Sequence, residues 1–507
     1  MVKCVMNLEP SGESRVFPHG TLLADALFDM GVAFDFPCGG KGTCGKCGIQ
    51  IAGPTFDSPI RVLACRHRIS SDLQVYAPPL DVIGLSPHPQ VQSEHAFSLA
   101  VDIGTTTVRM SLVDAITKES FEIASFLNPQ CRFGQDVISR IANGSDPEKS
   151  SAMRDVIRKA IRMRLEKVLM ALSLPAERIK NIVFSGNTTM LYLLFDLDVA
   201  SLGRHPYIAR VQDFTTRPAR EIGLDVIGAA HVHALPVSGA FTGGDLIGAL
   251  ALCEPLGLAR NVFFIDLGTN GELFVLDGSG KPFITSCAMG PALEGMNLSS
   301  GMTAHAGAVA HIREEDGGLA YTMIGEGVPA GITGTALIDL IAILLKQGVI
   351  SNQGAFVSRI EEMHLLPPLR FNHTGNAKRL GLWGRIGLTQ KDIRQVQLAK
   401  SASHTASLLL LMASGLKSDD IEHVIIAGAF GEYVDLNHLR RVGFIPDFPR
   451  ATKMFMGNTS LRAAEKACLD PEFIDRAAAL RGRCHTVPLT MRPEFQEIFL
   501  RALAFTQ

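Results

Sequence analysis

Four cysteines are the residues of this chain whose type and spacing most clearly suggest chemistry: Cys38, Cys44, Cys47 and Cys65. Three lie in one glycine-rich loop, PCGGKGTCGKCG, and the intervening stretches are five, two and seventeen residues long. Thiolates bind iron–sulfur clusters, and glycines let backbone N–H groups turn toward the sulfur atoms. The pattern favours a [2Fe–2S] cluster. A zinc site and a disulfide remain alternatives, although zinc sites commonly pair two Cys-x-x-Cys knuckles and this segment has one.

The segments around the cysteines predict a small mixed α and β domain. VKCVMNL and SRVF alternate like hairpin strands, and GTLLADALFDMG is typical of a helix with Thr21 as its N-cap. GIQI, RVLACRHRI and LQVYAP predict further short strands. Residues 1–78 therefore resemble the α+β, β-grasp ferredoxins of the plant and adrenodoxin type, and the resemblance gives the four cysteines the ligand positions. A proline-rich linker over residues 79–97 follows.

An aspartate hairpin occurs twice in the chain. AVDIGTTTVRMSLVD contains Asp102, and FIDLGTNGELFVLD contains Asp266. Each copy predicts an apolar strand ending in aspartate, a Gly-Thr turn and a returning strand. The turn suits phosphate, and the aspartates suit a Mg²⁺-bound, attacking water. The candidate phosphate ligands are Gly104, Thr105, Thr106, Gly268, Thr269 and Asn270.

Two further segments add candidates on the nucleotide side. HVIIAGAFGEYVD is a buried strand running into a small-residue turn, where adenosine could approach the backbone. Gly428, Gly431 and Glu432 are its candidate contacts. Asp245, in TGGD, is a candidate carboxylate at the nucleotide cleft, with a role as helix N-cap as the alternative.

These three motifs together resemble the acetate and sugar kinase, Hsp70 and actin superfamily. The resemblance implies an α/β fold of two duplicated RNase H-like halves that bind ATP and Mg²⁺, here over residues 98–240 and 241–507. The alternative is a duplicated α/β domain that binds no nucleotide.

Composition limits the function classes. A net charge of −2 over 507 residues argues against nonspecific nucleic-acid binding, which needs a basic surface. The apolar runs are too short for a membrane span, and no secretory signal pattern opens the chain. The ten cysteines are not spaced as a secreted disulfide framework. We therefore expect a cytoplasmic protein.

The order of the segments resembles the reductive activators of corrinoid proteins. Further stretches support this: SGNTTM, TGGDLIGAL, GPALEGMNLSSGM, LTQKDIRQVQLAK and MGNTSLRAA. The resemblance implies ATP-dependent reduction of an inactive Co(II) corrinoid protein to Co(I) through the [2Fe–2S] cluster. It also implies a corrinoid protein of a methyltransferase system as partner, an upstream electron donor, and compatibility with a homodimer.

Two other functions remain open at this stage. A cluster-containing small-molecule kinase would share the nucleotide motifs, and a phosphoryl-acceptor screen would identify it. An electron-transfer protein with a non-hydrolytic nucleotide-binding docking module would turn over no ATP.

Overall fold

A computed structural model gives the fold of most of the chain. The described residues are 2–30, 32, 40, 42, 45, 47–76, 92, 94–295, 298–304, 306–357, 367–374, 377–383, 386–428 and 434–505. They form two compact units, the first of residues 1–245 and 460–478, the second of residues 246–459 and 479–507. Within these residues, no helix has the length and apolar character needed to cross a membrane.

The first unit begins with a mixed sheet and one helix. The elements are β1 (Lys3–Glu9), β2 (Glu13–Pro18), α1 (Leu23–Asp29), β3 (Gly48–Ala52), β4 (Ile60–Leu63) and β5 (Leu73–Tyr76). The strand order is β2-β1-β5-β3-β4, in which β1 and β5 are parallel and the other neighbours antiparallel.

Alternation in the strands builds the core of this sheet. Met6 and Leu8 on β1 are buried and pack in one apolar core with Leu23 and Leu27 of α1. The prediction that Thr21 is the N-cap of α1 was wrong, because the helix begins at Leu23. The Thr21 hydroxyl instead donates a 2.7 Å hydrogen bond to the Pro18 carbonyl. Thr21 therefore stabilises the turn before the helix.

The rest of the first unit is a six-stranded sheet with helices. Its strands are β6 (Phe97–Ile103), β7 (Thr107–Asp114), β8 (Ser120–Leu127), β9 (Ile179–Gly186), β10 (Arg217–Pro218) and β11 (His231–Ala234). Its helices include α2 (Val137–Gly144), α3 (Pro147–Ala171), α4 (Thr188–Leu194) and α5 (Gly244–Cys253), the last of which continues into the second unit. The order is β10-β11-β9-β6-β7-β8.

Helix α1 joins the N-terminal sheet to this larger one. Asp25 pairs with Arg132 and Asp29 with Lys159, each at 2.7 Å. Cys131 is buried in the N-terminal core. Two ion pairs and a shared apolar contact therefore hold the small domain in place within the first unit.

The second unit contains another six-stranded sheet. Its strands are β12 (Val262–Leu267), β13 (Asn270–Leu276), β14 (Pro282–Ala288), β21 (His423–Ala427), β22 (Thr452–Gly457) and β23 (His485–Thr486). Two three-stranded sheets comprise β15 (Ala308–Glu315), β16 (Gly318–Met323), β17 (Gly331–Ile332), β18 (Arg370–Thr374), β19 (Ala377–Gly381) and β20 (Gly387–Thr389).

The remaining helices are α6 (Gly334–Lys346), α7 (Gln390–Ser414), α8 (Leu436–Val442), α9 (Thr459–Leu469), α10 (Phe473–Arg481) and α11 (Phe495–Arg501). Residues Gly334–Leu344 of α6 are buried without a break. A helix that is apolar on nearly every side requires such an interior position.

The two large sheets repeat one topology. In the first, β6 pairs antiparallel with β7 and parallel with β9. In the second, β12 pairs antiparallel with β13 and parallel with β21. Each aspartate hairpin of the sequence is thus the centre of a mixed sheet, as the duplication predicts.

Candidate functional site

The thiols of Cys47 and Cys65 lie 3.3 Å apart, and both residues are buried. A disulfide bond is about 2.05 Å long. Two thiolates bound tetrahedrally to one metal, with bonds of about 2.3 Å, lie about 3.8 Å apart. The separation therefore fits two ligands of one metal better than a disulfide. Cys38 and Cys44 lie outside the described residues.

Three glycines of the cysteine loop have left-handed backbone conformations: Gly40, Gly42 and Gly45. Gly40 has a φ of 76° and Gly42 a φ of 74°. The positive φ disfavours any other residue at Gly42, although the nearest atom to a Cβ there, at 2.7 Å, belongs to the flexible side chain of Arg66. Among the described residues, no three His, Cys, Asp or Glu side chains form a metal-binding group. Within the described residues, the separation of the Cys47 and Cys65 sulfur atoms is therefore the observation that fits a bound metal.

Asp102, near the end of β6, is buried and bonded to a serine pair. Ser460 Oγ donates 2.6 Å to Asp102 Oδ1, and Ser185 Oγ lies 2.8 Å from Ser460 Oγ. Since the Ser460 proton goes to the carboxylate, Ser185 is the donor in the second bond. These bonds fix the orientation of the carboxylate. Sequence reasoning gave neither serine a role, although both lie in stretches that supported the family resemblance.

The first Gly-Thr turn follows Asp102 and is closed by its own backbone. Gly104 N donates 3.0 Å to the Thr107 carbonyl. A Cβ at Gly104 would lie 2.5 Å from that carbonyl oxygen, so the tight turn requires glycine. Asn187 caps α4 and donates 3.0 Å to Thr105 Oγ1. The turn and the helix start are thereby held together.

A second carboxylate of the same sheet, Glu122 on β8, interacts electrostatically with Asp102. Burial raises the pKa of Glu122, an effect that Arg109 opposes and the charge of Asp102 reinforces. Arg109 Nη1 lies 3.6 Å from Glu122 Oε2. The positive charge of Arg109 thus offsets part of the negative charge of the two carboxylates.

The glycines just before Asp245 pack close to the first Gly-Thr turn. A Cβ at Gly243 would lie 2.5 Å from the Cα of Asn187, which itself bonds Thr105. Asp245 is in the first turn of α5, which begins at Gly244. It therefore lies inside the helix and not at the N-cap position that was its alternative role.

The second hairpin brings Asp266 and Gly428 together. Gly428 has a φ of 95°, and a Cβ there would lie 2.6 Å from Asp266 Oδ1. Thr459 Oγ1 approaches Asp266 Oδ2 at 3.5 Å. The close approach of this backbone to the aspartate therefore requires glycine. The other adenosine-side candidates, Gly431 and Glu432, lie outside the described residues.

The second Gly-Thr turn has carboxylate neighbours. Gly268 N donates 3.2 Å to the Asn270 carbonyl, and Thr269 Oγ1 donates 2.9 Å to Glu294 Oε2. Cys287 lies beside this hairpin, and burial raises the pKa of its thiol to about 12. It is therefore a neutral, structural thiol at physiological pH.

Two family models match successive parts of the chain. One, the RACo middle region, matches residues 97–255, and the other, the C-terminal domain of RACo, the ASKHA domain, matches residues 260–507. The corrinoid activation enzyme RamQ of Eubacterium limosum is 32% identical, over 81% of this chain and 70% of that protein. This chain belongs to the reductive activators of corrinoid proteins.

Other relatives agree with this family assignment. A Methanosarcina barkeri protein, the [Co(II) methylated amine-specific corrinoid protein] reductase, is 27% identical over 75% of this chain and 71% of that protein. A solved reductive activator for a corrinoid, iron–sulfur protein superposes with a TM-score of 0.74 over 99% of this chain and 98% of that chain, at 23% identity. The activator shares that fold, and the family resemblance seen in the sequence is confirmed.

Proposed function

We propose that this activator returns an inactive Co(II) corrinoid protein to Co(I) in an ATP-dependent, one-electron reduction. One observation carries the proposal: a buried cysteine pair 3.3 Å apart and a duplicated aspartate hairpin occur together in one chain of this family. The names of two relatives, a corrinoid activation enzyme and a Co(II) corrinoid protein reductase, support the substrate class.

The cysteines are proposed to bind a [2Fe–2S] cluster in a ferredoxin-like domain of residues 1–78. The sheet order, the left-handed glycines and the Cys47–Cys65 spacing support this. When bound, the cluster would supply single electrons at a potential of about −400 mV. Burial of Cys47 and Cys65 excludes water from the two described ligands.

The aspartate hairpins are proposed to act on ATP and Mg²⁺. Asp102, held by Ser460, orients Mg²⁺ or its bound water, and Asp266 has the same proposed role in its own hairpin. The turn residues bind phosphates through N–H and hydroxyl groups: Gly104, Thr105, Thr106, Gly268, Thr269 and Asn270. Asp245, Gly428, Gly431 and Glu432 complete the proposed nucleotide contacts.

The domain boundaries belong to the same proposal. Residues 79–97 link the cluster domain to RNase H-like halves over residues 98–240 and 241–507. The partners are a corrinoid protein of a methyltransferase system, an upstream electron donor and a second copy of the chain. A cytoplasmic location would suit an oxygen-sensitive cluster.

An energetic argument explains why ATP is needed. Co(I) is a stronger reductant than a plant-type cluster, so the electron moves uphill. For a one-electron couple, about 59 mV corresponds to a tenfold change in equilibrium constant. If ATP makes the activator bind the reduced state of the complex more tightly than the oxidised state, the electron-transfer equilibrium shifts toward Co(I).

The test is an anaerobic reduction assay. The activator is mixed with a Co(II) corrinoid protein and a chemical reductant, and Co(I) absorbance is followed with and without ATP. We expect Co(I) only with ATP. Cys65→Ser should remove both the visible absorbance of the cluster and Co(I) formation, while ATP hydrolysis persists.

Cys4→Ser is the matched control, because Cys4 is a buried cysteine of the same sheet outside the quartet. It should keep the visible absorbance. Complete Co(I) formation without ATP would refute the coupling, and unchanged absorbance in Cys65→Ser would refute the cluster assignment.

A further inference from the structure

A buried arginine lies behind the first phosphate turn. Arg140, on α2, is 0% exposed. Its Nε donates 2.9 Å to the Gly134 carbonyl, and its Nη2 donates 2.6 Å to the Thr105 carbonyl. Its Nη1 approaches Met190 Sδ at 3.0 Å. All three guanidinium nitrogens therefore contact an acceptor, and Nη2 bonds Thr105, the middle residue of the Gly-Thr turn.

Three successive carbonyls of this turn are bonded by the protein. Asn128 Nδ2 donates 2.8 Å to the Gly104 carbonyl, and Asn128 N donates 2.6 Å to the Thr106 carbonyl. Arg140 bonds the Thr105 carbonyl between them. Asn128 is itself fully buried. The turn is thus fixed by two residues, Asn128 and Arg140, that no motif in the sequence identified.

The direction of the amide N–H groups follows from these bonds. In a trans peptide, the carbonyl and the N–H of one peptide plane point in opposite directions. Because Arg140 and Asn128 bond the carbonyls of Gly104 and Thr105, the N–H groups of Thr105 and Thr106 point away from those donors. Successive N–H groups directed to one side form an anion-binding concavity.

The charge of Arg140 strengthens this arrangement. A hydrogen bond from a guanidinium is stronger than a neutral one, and hydrogen bonds in a chain polarise one another. The bond to the Thr105 carbonyl polarises the peptide whose N–H belongs to Thr106. A cation buried from water also retains much more of its field than one at the surface.

The duplicated turn has a different environment. Thr269, which corresponds to Thr105, donates to the carboxylate of Glu294. One turn is therefore supported by a cation, and its copy contacts an anion, although their sequences are similar. The repeat by itself predicts equivalent turns, whereas the side chains around them differ in charge.

We infer that Arg140 is a positioning residue for phosphate binding: it holds and polarises the first turn so that the Thr105 and Thr106 amides bind the phosphates of ATP. This inference rests on the proposed function, since it takes the turn to be a nucleotide site. Arg140 does not itself contact the nucleotide in this scheme.

The experiment measures binding of MgATP and of adenosine to the full-length protein by isothermal titration calorimetry. In Arg140→Lys, we expect MgATP affinity to fall about tenfold and adenosine affinity to change less than about twofold, because the lost charge-assisted bond acts on phosphates alone. Arg140→Met should weaken MgATP further. If that variant does not fold, Arg140→Lys carries the test.

Arg158→Lys is the matched control. Arg158, on α3, also donates to a backbone carbonyl, that of Leu194, at 2.9 and 2.6 Å, but this carbonyl is outside the turn. It should leave both affinities unchanged. If Arg140→Lys lowered the affinities for MgATP and adenosine equally, or lowered neither, the inference about Arg140 would be wrong while the proposed function would still stand. Absence of MgATP binding to the unaltered protein would overturn the proposed function together with it.

Discussion

The carboxylate of Asp102 depends on a hydroxyl from a distant part of the chain. Ser460, 358 residues away, donates to it at 2.6 Å, and Ser185 donates in turn to Ser460. The pair of serines therefore holds the Asp102 carboxylate in one orientation, which the role proposed for it toward Mg²⁺-bound water would need.

We predict that Ser460→Ala lowers the rate of ATP hydrolysis about tenfold, with MgATP affinity within about twofold, because the loss is of one hydrogen bond to a charged group. Steady-state phosphate release measures it. Ser407→Ala is the control, since Ser407 is a buried serine that bonds a backbone carbonyl on α7. An unchanged rate in Ser460→Ala would contradict the role assigned to the serine pair.

At the scale of elements, a buried carboxylate joins β15, α6 and α8. Asp339 on α6 is 2% exposed, and its two oxygens bond His311 Nδ1 at 3.1 Å and His438 Nδ1 at 2.7 Å. Burial alone would raise the pKa of Asp339, but the hydrogen bonds with the two histidines outweigh it and hold this pKa below 3.8. The bond to Asp339 raises the pKa of His438 above 6.5. Asp435, Arg441 and Glu314 are the other charged groups that act here.

This cluster predicts a pH dependence of stability. A raised histidine pKa adds stability that is complete below 6.5 and is lost as pH rises through the raised value, whereas the Asp339 contribution is lost only as pH falls below 3.8. We expect His438→Gln to lower the free energy of unfolding by about 1–3 kcal/mol near pH 5.5, and by less at pH 9.

Urea unfolding of the second unit at both pH values measures the difference. Exposed His485 supplies the control, and His485→Gln should have the same small effect at each pH. A deficit of His438→Gln that grew with rising pH would contradict the sign of the shift.

At the scale of the whole molecule, the chain contains separate large cores. One comprises buried residues between Phe97 and Ala240, and another comprises buried residues between Phe263 and Phe505. The single tryptophan, Trp383, packs against the second core with its ring 4.5 Å from Tyr321. Its fluorescence therefore reports on the second unit.

We predict that urea unfolding followed by Trp383 fluorescence and by far-ultraviolet circular dichroism gives transitions that do not coincide, because separate cores need not unfold together. Trp383→Phe is the control: it should abolish the fluorescence change and leave the circular dichroism transition unchanged. Superimposable transitions from the two probes would indicate one cooperative unit.

The sequence alone determined the features that depend on neighbouring residues. Apolar runs that end in aspartate predict β6 and β12, and the Gly-Thr turns predict where each hairpin reverses into β7 and β13. The family resemblance follows from the same local motifs. Pleating and turn sterics act over a few residues, so these features can be predicted from short segments.

The tertiary structure alone decided which distant side chains reach those motifs. Nothing near Asp102 in the sequence indicates Ser460, and nothing in α2 distinguishes Arg140 from a surface arginine. The two Gly-Thr turns also have similar sequences but neighbours of opposite charge, Arg140 and Glu294. Such contacts depend on strand order and helix packing across the whole fold, because the chain must first bring residues tens or hundreds of positions apart within a few ångströms.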